Sequence, residues 1–279
     1  MAGMVAQTNL TLSGNSISVD SFNSSNTNKF PGGQWNATNR SDNGNIASGN
    51  GTITVDNAQI MGRVLTGLPN GPVVLKSKGS VGDLAWVTNS NTGIEPGRYV
   101  TNFPVLFPDV FPPYSSGTTP SGGGTNTYVL DSGNYMINGD LALNSGDSLL
   151  VDSFQTATLY VTGNVQMSAS SSIIIMPGAS LQLYVGGPSA TITQVNNPWT
   201  AIGFVYYGLP GNTSISCTPP SGAFTGLIYA PEANLTVKSG GSSAMEFQGG
   251  WVLNSVNVSG NVDFHVDESF APTVEVFFY

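Results

Sequence analysis

Residues 203–210 read GFVYYGLP, residues 226–231 read GLIYAP, and residues 249–254 read GGWVLN. In each stretch a glycine precedes apolar and aromatic residues. The leading glycines, Gly203, Gly226 and Gly249, are separated by two successive steps of 23 residues. A fixed period of this length indicates a repeat architecture, in which one repeat cannot bury its apolar side alone and must stack on its neighbours.

A second pair of similar stretches lies upstream and has nearly the same period. Residues 159–163 (LYVTG) recur at 183–187 (LYVGG), a step of 24. Further short apolar runs lie between and after these stretches, at 165–167, 173–176, 190–195, 214–216, 235–237, 256–258 and 262–266. This density predicts an all-β fold, a single-stranded right-handed parallel β-helix (solenoid) with three short strands in each coil of about 19–24 residues.

The N-terminal part contains similar but less regular strands, for example over residues 80–87. Residues 23–45 are polar and predict an insert that projects from the solenoid. Residues 101–127 combine prolines with aromatic residues, and proline removes the N–H donors that a central strand needs. We therefore expect a segment packed along the solenoid flank, followed by a loop over 115–126. We predict a single domain, 1–279; the alternative is a linker between lobes near 1–100 and 127–279.

Composition excludes several classes of protein. Charged residues make up 8% of the chain, and the net charge is −9, whereas nucleic-acid binding needs a basic surface. We expect no nucleic-acid partner and no membrane span, because no apolar stretch approaches 18 residues. Low charge with one cysteine fits an extracytoplasmic protein, in the cell envelope or secreted. The first nine residues do not form a signal peptide, so we expect Met1 to replace a removed targeting segment.

The densest group of ionisable side chains is the run Asp263-Phe264-His265-Val266-Asp267-Glu268. On a strand, Asp263, His265 and Asp267 would share one face, while Phe264 and Val266 would share the other. The three polar residues could form a metal site or an acid–base pair. The alternative, which we favour, is a polar outer face on the last full coil. We expect no cofactor, with Ca²⁺ as the exception if this face binds a cation.

No nucleophile motif accompanies His265, the single histidine, so we assign no catalytic residue. Two of the four tryptophans, Trp35 and Trp199, follow loop signals and are candidate ligand-binding residues, because an exposed indole can stack on the apolar face of a sugar. Trp86 and Trp251 lie in strand patterns, and we expect both to pack in the core.

Several stretches resemble a family of uncharacterised bacterial domains that are rich in Gly and Asn and often follow a PilX-type, pilin-like N-terminal helix. The stretches are 42–47 (DNGNIA), 79–86 (GSVGDLAW), 159–167 (LYVTGNVQM), 177–187 (PGASLQLYVGG), 224–234 (FTGLIYAPEAN) and 264–268 (FHVDE). The resemblance covers most of residues 9–270. It implies a parallel β-helix of the cell envelope, with the helix removed ahead of Met1, and it implies no activity. The family's closing stretch usually reads Phe-His-Tyr-Asp-Glu, and Val266 stands here in place of the Tyr.

These observations lead us to expect a non-enzymatic structural or adhesive module of the cell envelope or the extracellular space, with a glycan or an envelope component as partner. The alternative is a carbohydrate-binding or polysaccharide-degrading β-helix protein, because parallel β-helices also carry those activities. An ice-binding solenoid is a third hypothesis, which the two isolated Thr-x-Thr stretches at 52–54 and 191–193 do not favour. The oligomeric state is left open.

Overall fold

The computed structural model describes residues 2–76, 78–103, 107–218, 223–239, 241 and 243–270. The protein is nearly all β. Its strands are mostly parallel and form a sheet that wraps around an axis, which is a β-solenoid-like fold. Glycines and prolines separate the strands, and none of the described residues forms a helix long and apolar enough to cross a membrane.

The described residues form 25 strands and one short α-helix. The strands are β1 (Met4–Ala6), β2 (Leu10–Phe22), β3 (Ile46–Ser48), β4 (Ile53–Met61), β5 (Val64–Thr66), β6 (Val73–Leu75), β7 (Ser80–Gly82), β8 (Gly93–Ile94), β9 (Tyr99–Val100), β10 (Ser121–Gly123), β11 (Asn126–Leu130), β12 (Gly133–Ile137), β13 (Leu141–Leu143), β14 (Ser148–Val151), β15 (Thr156–Val161), β16 (Val165–Met167), β17 (Ser172–Ile175), β18 (Ser180–Val185), β19 (Ser189–Ile192), β20 (Val195–Asn196), β21 (Phe204–Gly208), β22 (Ser214–Cys217), β23 (Ala223–Lys238), β24 (Met245–Ser259) and β25 (Asn261–Asp267). The helix is α1 (Leu84–Thr88), and 3-10 turns lie at Pro31–Gly33, Ala201–Gly203 and Glu268–Phe270.

Strand pairing follows three ladders, which we call faces 1, 2 and 3. Face 1 contains β12, β15, β18, β21, β23, β24, β1, β3, β5 and β9. Face 2 contains β13, β16, β19, β22, β23, β24, β2, β4 and β6. Face 3 has two parts. The first is β11, β14, β17 and β20, which form a separate sheet with β10, and the second, which contacts β20 at β23, comprises parts of β23, β24, β25, β2 and β4 with β7 and β8. The long strands bend from one face to the next.

The core fills the centre of the coils because alternate residues of each strand point inward. On β25, for example, Val262, Phe264 and Val266 belong to the buried apolar cluster. Trp251 is also in this cluster, as predicted. Aromatic rings of neighbouring coils pack against one another within it, for example Trp251 and Phe264, which meet edge-on with ring centroids 4.4 Å apart.

The order of strands along the solenoid differs from their order in the sequence. On face 1 the strands run β12–β15–β18–β21–β23–β24 and then β1–β3–β5–β9, so that Met4 pairs with Trp251 on one side and with Ile46 on the other. On face 3, β25 pairs with β2 from Ser16–Asn261 to Phe22–Asp267. The two ends of the described chain thus complete one coil inside the stack, formed by β25, β1 and the first part of β2.

A return segment, of which residues 101–103 and 107–118 are described, lies along the outside of face 1 between the two ends of the solenoid. Its Phe103 N–H donates to the carbonyl of Thr66 on β5 (2.9 Å), and the carbonyl of Pro108 accepts from the Tyr229 hydroxyl (2.8 Å). Thr118 then bridges β12 at the far end. Burial, reinforced by the nearby charge of Asp109, raises the pKa of Tyr229 to about 12. The following strand, β10, forms an antiparallel hairpin with β11 where we predicted a loop.

Two details differ from the sequence predictions. Gly226 and Gly249 are in register, but Val205 pairs with Leu227, a step of 22, so that Gly203 is not opposite Gly226. The Phe204 ring occupies the space over Gly226, and a Cβ there would lie 2.6 Å from it.

The second difference concerns the strand predicted over residues 80–87. It ends at Gly82, because Oδ1 of Asp83 accepts from the Trp86 N–H (2.6 Å) and caps α1. Trp86 therefore lies on a helix, with its ring against Gly82, and not in a strand of the core.

Candidate functional site

The insert, residues 23–45, folds back over the outer surface of face 3. It contains turns and the 3-10 turn Pro31–Gly33, and Ser41 forms an isolated antiparallel bridge with Ser21. Phe30 is fully buried and packs edge-on against Phe22, with ring centroids 5.6 Å apart. The apolar contact fixes the start of the insert on the solenoid.

Trp35 attaches the middle of the insert to β24 and β25. Its backbone N–H donates to Oε1 of Gln248 (3.2 Å), and its ring stacks on the imidazole of His265, with centroids 3.7 Å apart and planes inclined by 17°. Gln248 and His265 are neighbours on the ladder of face 3. One indole therefore covers the outward side of the single histidine.

His265 pairs with Asp20 beneath this indole. Their backbones are register partners on β25 and β2, and Nδ1 of His265 lies 2.6 Å from Oδ1 of Asp20. A hydrogen bond joins the two side chains, and an ionised carboxylate in this position can only accept from Nδ1–H. The two residues are 2% and 1% exposed, so that the pair is shielded from water.

Four polar atoms around this pair have no hydrogen-bond partner among the described residues: Nε2 of His265, Oδ2 of Asp20, Oδ2 of Asp267 and Nε1 of Trp35. An Asp-oriented imidazole whose Nε2 is available has the arrangement of a general base. A base must also reach a proton of its substrate, and the burial of His265 under Trp35 closes that route in this conformation.

Asp267 and Glu268 bind the start of the insert and the turn after β25. Oδ1 of Asp267 accepts from the backbone N–H groups of Ser24 and Ser269, each at 3.0 Å. Oε1 of Glu268 accepts from the Ser21 hydroxyl (2.7 Å). Both carboxylates therefore hold neighbouring backbone N–H or hydroxyl groups by hydrogen bonds.

Asp263, the third candidate on this strand, remains partly exposed and lies opposite Ser18 and Glu246. Burial raises the pKa of Asp263; attraction to His265 lowers it, and the negative charge of Glu246 adds to the rise. Within the described parts of the chain, no group of three or more His, Cys, Asp or Glu side chains is arranged to hold a metal ion. The predicted strand alternation is present, but the three candidates Asp263, His265 and Asp267 each have different surroundings.

The insert also approaches Trp199, the other tryptophan that we selected from the sequence. The side-chain amide of Gln34 donates to the carbonyl of Trp199. A cleft of about 320 Å³ lies beside this contact, lined by Gln34, Ile174, Met176, Asn196 and Thr225 among others. The ring of Trp199 is half-exposed, whereas Trp35 is committed to His265.

Sequence reasoning missed Asp20 and Gln248. Asp20 belongs to the four residues Val-Asp-Ser-Phe at 19–22, which recur at 151–154 and indicate a solenoid corner in both places. The structure separates the two copies: Asp20 is buried against His265, and Asp152 is exposed. The outward position of Asp20 on a predicted strand could have identified it as a candidate. Its partner, His265, lies 245 residues away in the sequence, so the pairing could not be predicted.

Comparison with known proteins gives a match to the family model of a domain of unknown function (DUF7305) over residues 114–273. No curated protein and no solved structure matches the chain. The matched residues begin on the return segment and include His265 and Trp199. Asp20 and the insert lie outside the match, so the buried pair joins a residue of the matched region to a residue beyond it.

Proposed function

Because the chain belongs to the DUF7305 family, whose description names no activity, we propose a function from geometry: a non-enzymatic structural or adhesive module of the cell envelope or the extracellular space. The observation that carries the proposal is the sealed His265–Asp20 pair. The His265–Asp20 pair is buried under Trp35, and the stacking of Trp35 on His265 attaches the insert to the solenoid. A stacked β-solenoid whose insert is held in place on its surface is better suited to presenting a binding surface than to catalysing a reaction.

The setting is part of the same proposal. Low charge and a surface of Asn, Ser and Thr favour an extracytoplasmic location, and the resemblance to domains that follow a pilin-like helix favours attachment to the envelope. We further propose that the chain is a single domain, and that the coils wind right-handed, as parallel crossovers almost always do. The partner would be a glycan or another envelope component, without nucleic acid.

Retention and turnover, measured together, test this proposal. The purified protein is incubated with whole bacterial cells and cell-wall preparations, and with a panel of soluble polysaccharides. We expect retention on an envelope preparation without release of reducing sugar or of unsaturated sugar. Turnover that disappears in an Asp20→Asn variant would contradict the non-enzymatic part, and absence of retention on every surface would contradict the adhesive part.

A further inference from the structure

The cleft beside Trp199 has polar groups that are held in place but are not saturated. Nε2 of Gln34 donates to the Trp199 carbonyl, and Oδ1 of Asn196 accepts from Nε2 of Gln194 (2.9 Å). Within the described residues, Oε1 of Gln34 and Nδ2 of Asn196 make no further hydrogen bond. The cleft therefore offers an acceptor and a donor to a ligand.

The polar side of the cleft is rigid because Asn197 is buried beneath it. Its Nδ2 donates to the carbonyls of Thr200 (2.7 Å) and Thr225 (3.3 Å), and its Oδ1 accepts from the Trp199 N–H (3.3 Å). These three hydrogen bonds hold the turn that contains Trp199 in one conformation. Asn196 and Trp199 are thereby positioned before a ligand arrives, which lowers the ordering cost of binding.

Large apolar side chains continue from the cleft along one edge of the solenoid. Trp199 and Ile202 follow β20, and Phe154 follows β14; these are 40%, 46% and 81% exposed. The turns stack on one another, since the Phe154 N–H donates to the carbonyl of Pro177 after β17 (3.1 Å). The Phe154 ring lies over Gly178, the residue next to Pro177. The edge thus presents aromatic and aliphatic groups to solvent at two levels of the stack, the coil of β14 and the coil of β20.

None of the described residues that line the cleft is charged. A phosphate or a uronate would lose its hydration there without a compensating cation, and the net charge of −9 would repel it. A hydrocarbon ligand such as a lipid chain would leave the amides of Gln34 and Asn196 without partners, at a cost of about 1–3 kcal/mol for each group. The surface therefore favours a ligand that is neutral, carries hydrogen-bonding groups and is apolar on one side.

We propose that this cleft and the edge beside it bind a neutral glycan, with sugar hydroxyls bonded to Gln34 and Asn196 and the apolar face of a sugar ring against Trp199. The hydroxyl group both donates and accepts, so it matches the two amides. The ring face carries C–H groups that pack on an indole. This inference rests on the proposed adhesive function and names the chemical class of its ligand.

The test compares the wild-type chain with Trp199→Ala and Asn196→Ala on an array of neutral and acidic glycans, followed by calorimetry with the best neutral ligand. Phe111→Ala and Asn91→Ala are the matched controls, because they remove an exposed aromatic ring and an exposed amide far from the cleft. We expect each cleft variant to bind on the order of tenfold more weakly and each control to bind as the wild type does. Circular dichroism and thermal melting verify that all four variants are folded.

Tryptophan emission gives a second readout. Because Trp199 is half-exposed, a bound sugar should shift the emission to shorter wavelength in the wild type and should not do so in Trp199→Ala. No binding of any neutral glycan, binding of acidic glycans alone, or affinity unchanged in both cleft variants would overturn the inference. If envelope retention persists in any of those cases, only the glycan inference fails; if retention is also absent, the adhesive function fails with it.

Discussion

His265 and Asp20 lie side by side under Trp35, and neither has access to water. A buried hydrogen-bonded pair of this kind contributes to stability only while both partners are present, because the remaining group is otherwise buried without compensation. The pair also joins β25 to β2, that is, one end of the described chain to the other.

Replacing Asp20 with Asn removes the charge and keeps the shape. We expect Asp20→Asn to lower the free energy of unfolding by about 1–2 kcal/mol, because Oδ1 of the amide can still accept but the hydrogen bond to a charged group becomes a weaker one to a neutral group. Urea unfolding measures the change. Asp152→Asn is the control, since it makes the same replacement in the same Val-Asp-Ser-Phe sequence at an exposed position; equal losses in the two variants would contradict the role of the pair.

Asp263 gives a pH-dependent prediction. Burial raises its pKa above the ordinary value of 3.8. A carboxyl group whose pKa is higher in the folded chain contributes stability that is complete below the unfolded value and is lost as the pH rises through the folded pKa. We therefore expect Asp263→Asn to raise the midpoint of thermal unfolding at pH 7 and to have little effect near pH 3. A gain of equal size at both pH values, or the same gain in the exposed control Asp131→Asn, would contradict the explanation.

Strand alternation was sufficient to predict that Asp263, His265 and Asp267 point away from Phe264 and Val266. It could not predict the burial of His265 and Asp267, because burial depends on the path of a 23-residue insert whose contacts are made by Trp35 and Phe30. Trp35 was selected for sugar stacking from its loop position. Its ring stacks on the imidazole of His265, a contact that a sequence without the partner strand cannot reveal.

At the scale of the element, each coil depends on a few positions where two backbones come close together. Gly249 adopts φ = +142°, and a Cβ there would lie 1.9 Å from the carbonyl oxygen of Gly226 on the preceding coil. The 23-residue step between these two glycines therefore has a steric origin. A side chain would separate the coils at this point.

Gly249→Ala should consequently be far more damaging than a comparable change elsewhere. Gly139 also has a positive φ, of +117°, but a Cβ there would meet no atom within 4 Å. We expect Gly249→Ala to lose at least about 2 kcal/mol more than Gly139→Ala, since only the first adds a steric clash to the backbone strain. Chemical unfolding of both variants measures the difference, and similar losses would show that the close approach is unimportant.

The insert should depend on one stacking contact. Removal of the ring in Trp35→Ala exposes His265 and weakens the attachment of residues 23–45. We expect trypsin to cleave after Lys29 and Arg40 several-fold faster in this variant, with cleavage after Lys238 unchanged, because local opening controls the rate. Mass spectrometry identifies the cut sites. Phe111→Ala is the control, since it removes an exposed ring on the return segment; faster cleavage in both variants, or in neither, would contradict the role of the stack.

At the scale of the whole molecule, the repeat period predicted the solenoid-like character but not the order of its coils. Inward residues are apolar in every coil, so the pattern alone permits many stacking orders. The observed order depends on close fits between distant glycines and their neighbours. A Cβ on Gly3 would lie 2.2 Å from Val266, and a Cβ on Gly14 would lie 1.9 Å from the carbonyl of Gly260. Such fits leave no periodic signal in a single sequence.

The coil formed by β25, β1 and the first part of β2 can be tested directly by cross-linking. The test uses a Cys217→Ala background, which removes the single native thiol. Ser18 and Asp263 are register partners on β2 and β25, and both are partly exposed. The double variant Ser18→Cys/Asp263→Cys should form an intramolecular disulfide on mild oxidation, because the Cα atoms of paired strands are within bonding range for cysteines. Val100→Cys/Met136→Cys probes the alternative, in which coils stack in sequence order and β9 would adjoin β12.

The account predicts a monomeric cross-linked product for the first pair and none for the second, as measured by non-reducing electrophoresis and peptide mass spectrometry. Cross-linking of Val100→Cys/Met136→Cys, with Ser18→Cys/Asp263→Cys remaining reduced, would contradict the claim that the two ends of the described chain complete one coil of the solenoid.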